Sequence, residues 1–228
     1  MKRISRYLPL FVLLLSCMQF AHAQSGFDVN IGFGAAQDKS VGPVDLNTLL
    51  PCSSVASANC ASTPSLDGFM MGVGANLMLW KNFGIGGEVK FEPTKQDYLI
   101  FQQQGVGVVG DKLQTRVTFY DFNGIFQPVN TKKVAVQLSG GIGGANVKFY
   151  EKQSSSSSIL GNQNFTQFFG SSNHFQVHGG VGLQIYLTDH VFVRPQFDLH
   201  YVPNFSQYGR NAVTSEMVWI GYSFGDRP

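Results

Sequence analysis

Charged residues are scarce in this sequence. Asp, Glu, Lys and Arg together make up 13% of the 228 residues, about half of the roughly 25% that is usual in soluble globular proteins. This scarcity argues against a nucleic-acid-binding protein, which needs a basic surface. It also argues against an ordinary soluble enzyme, which needs a charged exterior. Apolar residues account for 43% of the chain, which excludes a disordered protein. Glycine and phenylalanine are abundant instead, with 26 and 20 residues.

The first residues have the pattern of an export signal: Lys2, Arg3 and Arg6, an apolar stretch from Leu8 to Phe20, and the A-x-A site Ala21-His22-Ala23. We predict that residues 1–23 are a signal peptide cleaved between Ala23 and Gln24, and that residues 24–228 form one domain. A membrane anchor is an alternative, although the apolar stretch is short of the ~20 residues of a spanning helix. Lipoprotein processing at Cys17 is another. Cleavage removes three of 16 basic and none of 14 acidic residues, leaving a formal net charge of −1. Nucleic acid is therefore not an expected partner.

Cysteine is also rare, with three residues in the whole chain. After removal of the leader only Cys52 and Cys60 remain, within a stretch rich in Ser, Ala and Pro. In an exported protein this pair predicts one disulfide inside a loop. Two free thiols and a metal pair are the alternatives, although two thiols without a nearby His or third Cys make a poor zinc site.

No apolar run long enough for a spanning helix follows residue 23. Period-2 alternation of apolar and polar residues is present instead, and it predicts eight β-strands. Two of them are irregular. Val117 and Phe119 fall out of phase, which predicts a bulge or a mixed face, and the phase switches after Gly140–Gly144, which predicts a second bulge. The eight predicted strands cover 27–35, 69–79, 83–92, 112–126, 133–149, 174–187, 191–201 and 211–224.

The connections between these strands alternate in length. Those at 80–82, 127–132 and 188–190 are short, and those at 37–67, 94–111, 151–172 and 203–210 are long. A closed up-and-down barrel with every long loop at one end gives this order. Within the third long loop, the serine run 154–158 predicts a flexible, solvated tip.

The composition of the two faces predicts which one is inside. The polar row contains Gly, Asn, Gln, His and isolated charges rather than the Lys and Glu of a water-exposed face. Glycine suits the crowded lumen of an eight-stranded barrel, and the apolar row suits lipid. We predict that Glu88, Lys90, Arg194 and Asp198 form a paired charge network that occludes the lumen, with Arg194 against Glu88. Asp198 and Lys90 are expected nearer the external mouth.

Together these features resemble bacterial outer-membrane β-barrel proteins of the OmpA/OmpX superfamily. The resemblance rests on the leader, the alternating strands, the Phe-Tyr-Asp-Phe-Asn-Gly-Ile-Phe run at 119–126, and the closing row Val218-x-Ile220-x-Tyr222-x-Phe224. It implies an all-β, eight-stranded antiparallel transmembrane barrel in the outer membrane. It also implies outer-membrane lipid and the barrel-assembly machinery as partners. The closing aromatic is usually the last residue in that family, whereas residues 225–228 follow it here. No peptidoglycan-binding domain, and hence no cell-wall tether, is implied.

The expected function is non-enzymatic: a structural, surface-interaction or minor-permeation role, with an external ligand possible at loops 37–67 and 151–172. In the second of these, Phe165, Phe168 and Phe169 either pack over the barrel mouth or contact a partner. Lipid A acyltransfer or deacylation is one alternative, and a soluble periplasmic ligand-binding barrel is another.

The enzymatic alternative needs a Ser/His pair with an orienting acid. Four histidines are candidates, namely His174, His178, His190 and His200, but no spacing ties a serine to any of them. His174 and His178 share a face but lie ~13 Å apart on an extended strand, too far for one metal ion. We therefore assign no catalytic, cofactor-binding or metal-ligating residue.

Overall fold

The computed structural model describes residues 26–38, 44–45, 60–61, 66–103, 108–157, 161–205 and 211–225. Among these residues, no helix is long and apolar enough to span a bilayer. Eleven β-strands are present: β1 (Phe27–Gln37), β2 (Val44–Asp45), β3 (Cys60–Ala61), β4 (Gly68–Met78), β5 (Phe83–Phe91), β6 (Gln96–Gln103), β7 (Val108–Asn130), β8 (Val134–Ser157), β9 (Gly161–Tyr186), β10 (Val191–Tyr201) and β11 (Ala212–Phe224).

Eight of these strands close into an antiparallel ring, in the order β1-β4-β5-β7-β8-β9-β10-β11. The ring closes where β11 pairs with β1, from Phe27 opposite Phe224 to Gln37 opposite Thr214. The predicted all-β, eight-stranded up-and-down barrel is confirmed. Strand β6 continues the line of β5 by pairing with the first half of β7, and β2 with β3 forms a separate two-stranded ladder.

The outer face of the ring is apolar and the inner face is buried. Val181, Ile142 and Ile220 are 46%, 57% and 46% exposed, and they alternate along their strands with buried inner residues. In the closed ring, the backbone N–H and C=O groups of the strands hydrogen-bond to neighbouring strands. The apolar outer row is compatible with contact with lipid. These are the two requirements of a sheet that crosses a bilayer.

Three strands are longer than predicted, so the predicted loops 94–111 and 151–172 are wrong. The first region contains β6 and the start of β7, and the second is mostly the hairpin of β8 and β9. Ser154–Ser157 of the predicted serine tip are strand rather than loop, because they pair with 161–164 in that hairpin, and Ser158 lies outside the described residues. No period-2 alternation of apolar and polar residues marks these extensions in the sequence, and they form through ladder pairing between neighbouring strands.

The predicted bulges are not where the sequence placed them. Val117 and Phe119 pair with β8 in unbroken register and point inward, which is the mixed-face alternative. The predicted bulge at Gly140–Gly144 is wrong. The register shifts lie between Phe126 and Val129, and between Phe149 and Tyr150. The alternation of apolar and polar residues changes phase in β7 and β8 because the inward-facing residues there, such as Val117 and Val147, are apolar.

The interior has two layers, named here from the two ends of the barrel. The turn end carries the short connections at 79–82, 131–133 and 187–190, and the hairpin end carries the β8–β9 extension. Polar and charged side chains fill the middle of the lumen. Towards the hairpin end lies an apolar cluster of fully or almost fully buried residues: Ala36, Leu66, Met70, Val117, Phe119, Ala145, Val147, Val202, Phe205, Val213, Met217 and Trp219.

Candidate functional site in the barrel lumen

The four charged residues singled out in the sequence meet inside the lumen. Glu88 and Lys90 project from β5, and Arg194 and Asp198 project from β10. All four are at most 2% exposed. In the ring order β5 and β10 are four strands apart, so they are opposite walls of the barrel. The contacts between them therefore cross the lumen.

Arg194 makes the first crossing. Its Nη2 atom donates a hydrogen bond to Oε1 of Glu88 at 3.0 Å, and its Nη1 atom donates to Oε1 of Gln137 at 3.1 Å. The guanidinium also lies 5.5 Å from the ring centre of Trp219, within the range of a cation–π contact. Gln196 Nε2 donates to the other oxygen of Glu88 at 3.2 Å. Both oxygens of the Glu88 carboxylate are thus held by side chains from β10.

Lys90 makes the second crossing. Its Nζ atom donates to Oδ2 of Asp198 at 2.5 Å and lies 3.4 Å from Oε2 of Glu88. Asp198 also accepts a hydrogen bond from Gln196 Nε2 at 2.8 Å. Lys90 therefore joins the two carboxylates, and the four predicted residues form one continuous network rather than two separate pairs.

Glycine makes room for this network at one point on the neighbouring strand. A Cβ atom on Gly180 of β9 would lie 2.1 Å from Oδ1 of Asp198. A residue with any side chain would have to displace that carboxylate. Gly179, one residue earlier and on the outer face, has no atom within 4 Å of its Cβ position.

Two histidines extend the network, and sequence reasoning missed their association. His178 of β9 lies opposite His200 of β10 in the strand register, and their rings stack at 4.7 Å between centres. His178 Nε2 is 2.9 Å from Oδ1 of Asp198, and His178 Nδ1 is 3.0 Å from Oδ1 of Asn123. His174, which shares the same strand face, lies apart from this pair and contacts Ser172 and Phe205.

A signal for the histidine pair was present in the sequence. The short turn predicted at 188–190 is centred on Asp189, and His178 and His200 lie at equal distances on either side of it. A hairpin folded about this turn places the two residues opposite each other on the same face. The pairing is a cross-strand relation, which spacing along one strand does not reveal.

The contacts of His200 with Ser215 and Asp121 resemble the order of a Ser-His-Asp catalytic triad. Its Nε2 atom is 3.4 Å from Ser215 Oγ, and its Nδ1 atom is 3.9 Å from Oδ2 of Asp121. The second distance is too long for a hydrogen bond. Ser215 and His200 are at most 1% exposed, and Asp121 is 5% exposed. A bulky lipid substrate would have to displace the apolar cluster to reach Ser215, so the geometry does not favour the lipid A-modifying alternative.

The apolar cluster closes the lumen towards the hairpin end. Phe119 stacks directly on His200, at 4.7 Å between ring centres. Leu66, Val202 and Phe205 come from outside the barrel strands and are also fully buried. Towards the turn end, Phe192 is fully buried against Tyr186. Among the described residues, the charged network is thus covered by the apolar cluster on its hairpin side, while buried polar side chains together with Phe192 fill the lumen on its turn side.

The remaining predicted sites lie at the hairpin end or outside the described residues. Phe165, Phe168 and Phe169 are 65%, 54% and 75% exposed on the β8–β9 hairpin, so the alternative in which they pack over the barrel mouth is wrong. Ala23, Gln24, Cys52 and most of the 37–67 connection lie outside the described residues. Cys60 is described only as backbone, paired with Asp45.

Comparisons with solved structures find small outer-membrane barrels. The attachment invasion locus protein Ail of Yersinia pestis, solved with the heparin analogue sucrose octasulfate, is 14% identical (88% of this chain, 99% of that chain, TM-score 0.47). The outer membrane protein OprG of Pseudomonas aeruginosa is 13% identical (89% and 97%, TM-score 0.44). The N-terminal β-barrel domain of OprF from the same organism is 12% identical (89% and 98%, TM-score 0.41). No protein-family model and no curated protein matches the chain. At this level the likeness concerns architecture alone.

Proposed function

We propose that the protein is an integral β-barrel of a bacterial outer membrane with a closed lumen and a structural and surface-interaction role. The observation that carries this proposal is the network of Glu88, Lys90, Arg194 and Asp198, which crosses the lumen beneath the apolar cluster. A permeation pathway through the barrel would have to break these buried ion pairs. Removing one partner of such a pair costs about 3–5 kcal/mol, which disfavours spontaneous opening.

The outer face supports a membrane location. Large apolar residues such as Ile31, Val73 and Leu183 are 50%, 52% and 40% exposed on it. A soluble ligand-binding barrel has the opposite arrangement, with its apolar row inside and a charged row in water. The exterior therefore argues against the soluble alternative. The proposed export signal at 1–23, and the closing row of β11 that the assembly machinery would recognise, fit the same location.

The β8–β9 hairpin supports a role at the cell surface. Both strands continue past the ends of β10 and β11, with ladder pairing out to Ser157 opposite Gly161. The hairpin presents three exposed phenylalanines, and exposed apolar groups of this kind mark interaction sites. The proposed external ligand would therefore bind a paired β-hairpin rather than the loop expected from the sequence.

The proposal is tested by membrane fractionation and conductance. The protein is expected in the outer-membrane fraction, soluble only in detergent, with heat-modifiable migration in gels. Reconstituted in planar bilayers, the wild type is expected to show no steady conductance. Arg194→Ala, which breaks the first crossing, is expected to raise conductance, whereas Lys133→Ala at an exposed turn is not.

Recovery as a soluble periplasmic protein would overturn the membrane assignment. A large steady conductance of the wild type, unchanged by Arg194→Ala, would overturn the closed lumen.

A further inference from the structure

We propose that Asp121, His178 and His200 form a buried binding site for a divalent transition-metal ion of the zinc class. A ring nitrogen from each histidine and a carboxylate oxygen of Asp121 all lie within 4.8 Å of one another. Donor atoms at about 2.0–2.2 Å from one tetrahedral ion lie about 3.3–3.6 Å apart. The most widely separated donors therefore have to approach by about 1.2–1.5 Å around an ion, a movement that side-chain rotation supplies.

Two of the three donor atoms have no partner. Oδ2 of Asp121 and Nδ1 of His200 are buried without a hydrogen bond, and they face each other at 3.9 Å. Leaving two such groups unpaired is costly. A hydrogen bond between them would bring them to about 2.7–3.2 Å. The observed separation instead leaves room for an ion bound to both.

The second polar atom of Asp121 and that of His200 each contact a neighbouring side chain, as the outer atoms of metal ligands commonly do. Oδ1 of Asp121 accepts a hydrogen bond from Gln176 Nε2 at 2.5 Å. Nε2 of His200 lies 3.4 Å from Ser215 Oγ, which leaves Nδ1 as the free ring nitrogen. Contacts of this kind fix the orientation and tautomer of a ligand before the ion binds.

The charge of the network also favours a cation. Three buried carboxyl groups, those of Glu88, Asp121 and Asp198, share the network with two buried cationic side chains, those of Lys90 and Arg194. An uncompensated buried charge is strongly unfavourable. The Lys90 ammonium makes its direct contacts with Asp198 and Glu88.

The donor set indicates the kind of ion. Two imidazoles and one carboxylate suit zinc and its first-row neighbours, whereas calcium and magnesium prefer oxygen ligands alone. His178 is held by two contacts, Nδ1 at 3.0 Å from Asn123 Oδ1 and Nε2 at 2.9 Å from Asp198 Oδ1, and the ion would replace one of them. An ion here would tie β7 to β9 and β10 and would reinforce the barrel wall below the apolar cluster.

Because the site is buried, the ion is loaded by refolding. The barrel is refolded from urea into detergent with and without excess Zn²⁺, desalted, and measured for metal content by mass spectrometry. About one zinc per chain is expected. Asp121→Asn, which keeps the hydrogen bond to Gln176, and His200→Phe, which keeps the ring stack on Phe119, are each expected to lower occupancy at least tenfold. His174→Ala and His190→Ala are matched histidine controls and are expected to keep the ion.

A second measurement does not depend on variants that fold poorly. Refolding with Co²⁺ is expected to give the visible absorption bands of a cobalt ion bound by histidine nitrogen in a low-symmetry site. Wild-type barrel that refolds to the heat-modifiable form yet retains no metal would overturn the proposal. Equal metal content in the two site variants and the two histidine controls would show an adventitious ion only, and this result would also overturn the proposal.

Discussion

The guanidinium of Arg194 lies 3.0 Å from the carboxylate of Glu88, across the lumen and between residues 106 positions apart in the chain. Both side chains are buried, and Glu88 supplies the counter-charge of Arg194. Glu88 can be made neutral by substitution with glutamine at almost the same size, so this pair gives a direct test of the closed lumen.

We predict strong coupling between these two residues in a double-mutant cycle. Glu88→Gln is expected to destabilise the barrel by about 3–5 kcal/mol, because it leaves the buried Arg194 guanidinium unpaired, and Arg194→Gln by less, because Lys90 remains 3.4 Å from Glu88. The double variant is expected to cost clearly less than the sum of the two. Reversible urea unfolding in lipid vesicles gives the free energies. A cycle of Glu88→Gln with Lys133→Gln is the control, and additivity in the first cycle would contradict a direct pair.

A second prediction compares adjacent glycines on opposite faces of β9. Gly180→Ala is expected to destabilise the barrel by about 1–3 kcal/mol, the usual cost of overpacking. Its Cβ atom would lie 2.1 Å from Asp198 Oδ1 and 2.8 Å from Ser139 Oγ. Gly179→Ala has open space around its Cβ position and serves as the matched control for backbone propensity. Equal unfolding free energies for the two variants would show that the lumen is looser than described.

A third prediction tests the orientation of the same strand. Val181 is 46% exposed on the outer face, where an arginine at mid-membrane costs about 2–4 kcal/mol. Gln184 points inward, with Nε2 3.4 Å from Oδ2 of Asp28, so an arginine there would meet a carboxylate. Folding yield into vesicles is therefore expected to fall further for Val181→Arg than for Gln184→Arg. The reverse order would invert the two faces.

A fourth prediction concerns Cys52 and Cys60. They are expected to form a disulfide, observed as a mass two hydrogens below that of the reduced protein. Closing a loop of about nine residues restricts the chain by a little under the ~3 kcal/mol given for about 15 residues. The bond lies in a connection outside the barrel ring, so Cys52→Ser/Cys60→Ser is expected to assemble normally. Two free thiols in oxidised protein would refute the pairing, and failed assembly of the variant would show that the bond is needed.

The sequence predicts the barrel well where each strand faces lipid on one side and the lumen on the other. There the alternation of residues such as Val191, Val193 and Phe197 with Arg194 and Asp198 reports both the strand and its orientation. Alternation is lost where both faces of a strand are polar. The strand conformation of Ser154–Ser157 therefore depends on ladder pairing with β9, which no local pattern records.

The candidate site was harder to predict because it is built from contacts across the barrel. The position of Glu88 and Arg194 relative to their preceding turns gave a usable estimate of their heights. The Asp121, His178 and His200 group combines three strands, and the role of Phe119 became clear only once the inner row proved to be apolar beside it. The bulge predicted at Gly140–Gly144 is wrong because the inner row changes there from polar to apolar residues without a shift in register.

Methyl NMR of the wild-type barrel in lipid nanodiscs tests the central claim most directly, because it needs no substitution. Two relaxation agents are compared: a lipid carrying a spin label in its acyl chain, and a water-soluble gadolinium chelate. The outward methyls of Val177, Val181 and Leu183 are expected to broaden with the labelled lipid. The inward methyls of Val117 and Val213, which are fully buried, are expected to be protected from both agents. Broadening of the outward methyls by the chelate alone, or of the inward methyls by either agent, would contradict a lipid-facing barrel with a closed lumen.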